Sequence, residues 1–268
     1  MTDEHEHAAL ALAVRQQLTA LEQAGVTHLP KRKVAARAAK NSAPAPRGRQ
    51  APAAGAAKPS APTAPVARPA AKTAAAPATG SRLVMLDQLR QQVAGCTLCA
   101  ELAAERTQTV FGVGNPQARL MFFGEAPGAD EDRTGEPFVG RAGQLLTKII
   151  EACRMTRDDV YIFNVLKCRP PGNRAPEPAE VTNCRQYFER QIEIIKPEFI
   201  CCLGTTAAQA LLNSTETIGK LRGKFHQAYG ATVLCTYHPS YLLRNPAAKK
   251  DVWEDMKVLM REMGTPVD

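Results

Sequence analysis

From residue 83 onward the sequence alternates short apolar runs with amphipathic helical stretches, and this alternation limits the fold more than any other feature. Apolar runs at 119–124 (RLMFFG), 160–166, 198–203 and 232–236 read as strands, and 84–93, 140–153, 178–195, 205–212 and 248–263 read as helices. Strands alternating with helices predict an α/β fold, a three-layer α/β/α sandwich around a mainly parallel, four-stranded central sheet. In such sheets ligands bind beyond the carboxyl ends of the strands. Four strand-to-helix loops carry the unusual residues: GEAPGADED, NVLKCRPPGNRAP, LGTTA and YHPSYLLRNP. A parallel sheet would gather all four around one cleft.

The chain upstream differs in composition. Residues 31–82 hold 11 Lys or Arg, no Asp or Glu and no aromatic residue, on a background of Ala and Pro. Such a stretch has too little large apolar surface to offset the entropy of ordering its backbone, so it reads as a disordered, Pro-stiffened tether. The formal charge of +8 belongs to this tether, and the remainder from Leu83 is close to neutral. A basic tether can hold nucleic acid through salt-sensitive phosphate contacts, contact other proteins, or act as a solubilising linker. Residues 1–30 contain a short amphipathic segment with Leu10, Val14, Leu18 and Leu21 on one face. The expected division is therefore 1–30, 31–82 and a folded domain at 83–268. No apolar run approaches the ~20 residues a membrane helix needs, and the acidic start lacks a basic n-region.

Eight cysteines in a chain of this kind call for something other than disulfides. Cys153, Cys201, Cys202 and Cys235 sit in apolar runs, where a free thiol packs as a small hydrophobe. Cys96 and Cys99 form a CxxC, and Cys168 and Cys184 are the downstream cysteines in polar segments. CxxC puts two thiolates on one metal or cluster, and two more close a Cys₄ set. Spacing alone does not choose the metal, nor does it distinguish a metal site from coincidence.

The loops offer further candidates. Gly124 and Gly128 in GEAPG allow a tight turn whose backbone approaches a flat or anionic ligand, with Glu125 at its mouth; a purely structural turn has the same sequence. Asp130, Glu131 and Asp132 read as a helix-capping cluster. Phe138 lies on a polar loop, where a base could stack on it or the next helix could bury it. Asn164 ends a strand; its amide can show a donor and an acceptor to a pyrimidine edge, or simply make a turn. His238, before a proline at the last strand's end, can donate to developing negative charge. Leu242, Leu243 and Arg244 follow as a wedge for a base stack, with core packing the alternative for one leucine.

Taken together, these segments resemble the bacterial and archaeal family 4 uracil-DNA glycosylases, the iron–sulfur branch of their superfamily. The resemblance rests on Cys96-x-x-Cys99, VFGVGNPQARLMFFGEAPGADED, GEPFVGRAGQLL, NVLKCRPPGNRAPEPAEVTNC and HPSYLLRNP, in the expected order from about residue 83 to residue 262. It implies the uracil-DNA glycosylase fold and a structural [4Fe–4S] cluster on Cys96, Cys99, Cys168 and Cys184. It also implies that Phe138 stacks on uracil, Asn164 reads its edge and His238 stabilises charge at its O2, with Glu125 and Ala126 at the water-placing positions. Many uracil glycosylases carry Asp where this chain has Ala126, which leaves the Glu125 side chain or nearby backbone carbonyls to place the water. No lysine stands at a matched position as a Schiff-base nucleophile, so the implied reaction is hydrolysis to an abasic site with no lyase step. The implied partner is uracil-containing DNA, met by a monomer in the cytoplasm at the nucleoid. A non-catalytic iron–sulfur protein that binds DNA or senses uracil is the alternative; Ala126 favours it, and Phe138, Asn164 and His238 count against it.

Overall fold

The computed structural model describes residues 79–267. The readings made of residues 1–30 and of the tether as far as residue 78 lie outside them. The first described element is helix α1 (Thr79–Ala94), so the domain begins before residue 83 and the last residues assigned to the tether are helical. Arg82, counted by composition with the tether, is buried and donates to the carbonyls of Ile195 (3.0 Å) and Pro116 (3.4 Å). Composition could not single out this arginine as structural.

Short helix α2 (Ala100–Glu105) follows, then strands β1 (Val113–Gly114) and β2 (Leu120–Gly124), helices α3 (Ala129–Thr134) and α4 (Arg141–Ala152), and β3 (Tyr161–Asn164). Next come α5 (Pro178–Ile195), β4 (Phe199–Leu203), α6 (Thr205–Leu212), α7 (Ile218–Leu221), β5 (Phe225–Ala228), β6 (Ala231–Thr236), α8 (Pro239–Arg244) and α9 (Lys249–Glu262). The strand order is β1-β3-β2-β4-β6-β5. The four inner strands are mutually parallel, as expected, whereas β1 and β5 add an antiparallel edge on each side. The sheet thus has six strands among the described residues rather than four.

Both extra strands escape a reading by apolar runs. β1 is only two residues long. β5 is half exposed, alternating along its length, and returns into β6 through Tyr229–Gly230, both with positive φ (50° and 77°). Positive φ at both central residues is the two-residue hairpin geometry matched to strand twist, usually signalled by Asn-Gly. Tyr-Gly carries only half of that signal.

The inner strands alternate faces with period two. Met121, Phe123, Ile200, Cys202, Val233 and Cys235 pack with α1, α5 and α6 through Leu89, Phe188, Ile192 and Ala207. Leu120, Phe122, Cys201, Leu203 and Leu234 face Leu146, Ile150, Val252 and Met256 of α4 and α9. Burial on both faces explains why β2 (LMFFG) and β4 (FICCL) read as unbroken apolar runs. The three-layer sandwich is therefore present. No helix among the described residues is long and apolar enough to cross a membrane.

Candidate active site

The parallel register sets Gly124 beside Asn164, and Leu203 beside Thr236, at the carboxyl ends of the strands. A cleft of about 350 Å³ opens there, and Glu125, Ala126, Gly128, Phe138, Asn164, His238 and Arg244 all line it. Residues far apart in sequence thus reach one site through the topology alone. A larger cavity of about 660 Å³ lies elsewhere, by Arg119, Leu120, Cys153 and Met260. It contains none of the sequence candidates.

Asn164 is 2% exposed, and its side-chain Oδ1 has no hydrogen-bond partner among the described residues. An unpaired buried acceptor costs on the order of 1–3 kcal/mol, so its presence in a cleft marks a place kept for a donor on a ligand. Beside it stands the Phe138 ring, buried against the main chain of β2. A side chain at Gly124 would collide with both Asn164 Oδ1 and the Phe138 ring. Gly124 therefore serves by its absence of a Cβ, letting ring and amide meet, rather than by touching a ligand itself.

Phe138 is buried, and its ring also lines the cleft at 5.7 Å from the His238 ring. Its backbone is left-handed, with φ 56°. Glu131 fixes the adjoining chain: Oε1 accepts from the N–H groups of Val139 and Gly140 (both 2.9 Å), and Oε2 accepts from Gly128 N–H (3.1 Å). One carboxylate therefore ties the GEAPG loop to the Phe138 loop. The Gly128 N–H is thus engaged within the protein, although Gly128 itself lines the cleft.

The acidic cluster divides by role. Asp130 is exposed beside Arg133, and Asp132 is buried as the acceptor of Thr107 N–H (3.0 Å to Oδ1). Glu131 was legible as a cap three residues after Gly128, but its bridge to the Phe138 loop is a tertiary fact.

His238 caps α8. Its Nδ1 accepts from Ser240 N–H (3.1 Å) and lies 2.7 Å from Ser240 Oγ. An Nδ1 that accepts a backbone N–H carries no proton, so the neutral ring holds its proton on Nε2. Burial, with Arg244 adding to it, lowers the His238 pKa to about 4. The ring is therefore a neutral donor at physiological pH, suited to a developing anion and unable to lose the role by titrating near 6.5.

Glu125 lines the cleft, and its Oε2 accepts from the Thr206 hydroxyl on α6 (2.5 Å). Its carbonyl accepts from Leu166 N–H (3.1 Å). Ala126 brings only a methyl group, packed against the core. Of the wedge residues, Leu243 and Arg244 are exposed and Arg244 lines the cleft, but Leu242 is 1% exposed within the core. The one-turn helix α8 points Leu242 inward against α4 and α9, which removes it from the wedge.

Cys96, Cys99, Cys168 and Cys184 lie within electrostatic range of one another, beside α2 and α5. Polar donors surround them. Arg106 Nη1 donates to Cys168 Sγ (3.1 Å), Asn183 Nδ2 to Cys99 Sγ (3.4 Å), and Lys167 N–H to Cys184; the Tyr187 hydroxyl bonds Cys96. Burial pushes the Cys184 thiol up to about 12, so a buried thiolate here needs cationic compensation. Among the described residues no three His, Cys, Asp or Glu side chains come close enough to hold a single ion. Cys153, Cys201, Cys202 and Cys235 are buried in or against the sheet, as their apolar runs predicted.

The family model of the Uracil DNA glycosylase superfamily matches residues 111–257. A type-4 uracil-DNA glycosylase of Archaeoglobus fulgidus is 44% identical over 180 residues, covering 64% of this chain and 90% of the relative. One from Thermotoga maritima is 44% identical over 181 residues, covering 66% of this chain and 94% of the relative. A type-5 uracil-DNA glycosylase of Pyrobaculum aerophilum is 35% identical over 146 residues, covering 48% of this chain and 64% of the relative. With its matched motifs gathered around one cleft at the strand ends, this chain belongs to the uracil-DNA glycosylase superfamily, in its type-4 family.

Proposed function

We infer that the protein is a monofunctional uracil-DNA glycosylase, hydrolysing the N-glycosidic bond of deoxyuridine in DNA to leave an abasic site. The observation that carries this reading is the unpartnered acceptor of Asn164, facing a cleft shared by the Phe138 ring and the neutral His238 donor. A flat heterocycle with an N–H donor and carbonyl acceptors satisfies all three groups, and uracil is such a base. The relatives at 44% identity carry the same activity in their names.

A base inside a duplex is out of reach, so the nucleotide must be extruded, at a cost of a few kcal/mol that mispairing lowers. In this reading the exposed Leu243 and the cleft-lining Arg244 fill the vacated stack, Phe138 covers the base, and Asn164 pairs with its edge. As the C1′–N1 bond breaks, the electron pair leaves with uracil, and the His238 Nε2–H donates to the charge that develops on O2. Glu125, oriented by Thr206, positions the water whose oxygen bonds C1′ and whose released proton neutralises the departing uracil anion. Among the described residues the nearby Lys167 is engaged, its Nζ donating to the Asn164 carbonyl (2.8 Å), and the reaction we infer is hydrolysis without a lyase step.

The four cysteines with their polar donors suit a structural [4Fe–4S] cluster. Cys96, Cys99, Cys168 and Cys184 would hold the cluster, which does not require their sulfurs to converge on one point as zinc does. When bound, the cluster would supply a cross-link between the CxxC segment, the loop after β3 and α5. The protein acts on DNA as a monomer at the nucleoid in the cytoplasm, with the basic segment before residue 79 available for phosphates or other repair proteins.

The test is incubation with single- and double-stranded oligonucleotides containing one uracil, followed by alkali. Strand scission at the uracil is expected, and its absence from both substrates sinks the activity. Iron and acid-labile sulfide in stoichiometric amounts are expected of the purified protein; stoichiometric zinc overturns the cluster.

A further inference from the structure

Among the described residues six other than glycine have left-handed backbone, and two of them, Phe138 (φ 56°) and Asn173 (φ 57°), line the cleft; of the two only Phe138 carries a bulky ring there. A bulky side chain in that region is strained, and such strain persists only where the surroundings over-determine it. Two sets of contacts do so. On the carboxyl side, Glu131 takes the N–H groups of Val139 and Gly140. On the amino side, Arg157 Nη2 donates to the Pro137 carbonyl (2.8 Å) and Nη1 to the Phe138 carbonyl (3.2 Å). Arg157 Nη1 also lies 3.4 Å from Thr147 Oγ1 on α4. Beneath the same peptide, Gly143 leaves no room for a side chain, since a Cβ there would strike the Phe138 carbonyl.

Arg157 itself does not line the cleft; it sits half-buried in the turn between α4 and β3. We propose that Arg157 is a positioning residue for base excision, its planar fork gripping two successive carbonyls so that Phe138 keeps the left-handed backbone that lays its ring over the base. A guanidinium suits this task because two donors of fixed geometry bind both carbonyls at once, whereas a lysine ammonium is a flexible point charge. The proposal rests on the uracil-excising reading and deepens it: Arg157 acts on the reaction only through the Phe138 ring.

The test is a cycle of Arg157→Met, Phe138→Ala and the double variant, with Arg157→Lys as the conservative member, all measured as full chains. Single-turnover excision on a uracil oligonucleotide should fall about tenfold in R157M, as for the loss of charged hydrogen bonds worth one decade in rate. R157K should recover part of that loss. In the F138A background the R157M change should add little, because coupled residues are non-additive. Binding to an oligonucleotide with a tetrahydrofuran abasic site, which offers no base to cover, should be unchanged in R157M. An unaltered rate in R157M, an undiminished loss in the F138A background, or an equal loss of abasic-site binding each overturns the proposal. If the unmodified protein cleaves nothing, the uracil reading itself has failed; if it cleaves and R157M matches it, only the role of Arg157 has.

Discussion

Two cavities among the described residues lie at opposite ends of the inner strands and differ in the groups that line them. The larger, about 660 Å³, is lined by Leu120 at the start of β2 and by Cys153, Met155, Met260 and Met263. The smaller, about 350 Å³, lies at the opposite ends of the strands. Met260 and Cys153 belong to the apolar core, and burial holds the Cys153 thiol up at about 11, as an inert neutral group. In the cleft, by contrast, an orphaned amide oxygen, a strained aromatic residue and a histidine of fixed tautomer converge. Left-handed backbone occurs at both, since Arg154 at the larger cavity has φ 59°; the orphaned Asn164 acceptor is what distinguishes the cleft, because an unpaired buried amide oxygen costs stability that packing alone would not retain.

That contrast can be broken by substitutions at either end. The largest effect is expected of His238→Ala, which removes the donor to the departing base. Single-turnover excision should drop roughly 10²–10³-fold, the usual cost of one such donor, with the melting temperature little changed. Asn164→Asp keeps an acceptor but loses the amide donor, and about a hundredfold loss of kcat/KM on uracil DNA is expected. A near-normal rate in either variant would remove the cleft from the chemistry. At the other cavity, Met260→Ala should cost about 2–5 kcal/mol of stability, read by denaturant unfolding, while the excision rate per folded molecule stays unchanged. A rate effect there would mean that the two ends are coupled.

The smallest effect concerns pH. With the His238 pKa lowered to about 4, the ring is neutral in the folded chain from pH 7 down to near 4. The excision rate should therefore show no inflection near 6.5 from this group, and an inflection there abolished by the His238 variant would contradict the neutral donor. The unfolded chain, with a histidine pKa near 6.5, takes up a proton across that interval and the folded chain does not. Its contribution to stability is thus present above about pH 6.5 and lost as pH falls toward 4.

Much of this architecture was legible residue by residue. The doubly buried strands follow from apolar runs such as RLMFFG and EFICCL, because a strand covered on both faces has no polar side to show. Cys96, Cys99, Cys168 and Cys184 could be told from the other four cysteines because polar and apolar neighbours differ locally. Asn164 and His238 were marked by their place at strand ends. The edge strands were not legible, since β5 is stabilised by pairing with β6 rather than by its own apolar content, and its turn uses Tyr229–Gly230. Leu242 and Leu243 are chemically identical neighbours, and only the orientation of α8 sends the first into the core and leaves the second exposed.

The sequence by itself determined which residues could meet: period and burial specified the parallel sheet, and a parallel sheet brings its strand ends to one side. Tertiary structure decided what each of those residues does there. Gly124 became the space for a ring, Glu131 the tie between two loops, Arg157 the grip on Phe138, and Ser240 the group that fixes the His238 proton on Nε2. These roles depend on hydrogen bonds between segments distant in the chain or on the exact turn of a short helix. No local pattern encodes them, because a donor's partner is set by geometry that exists only once the layers have packed.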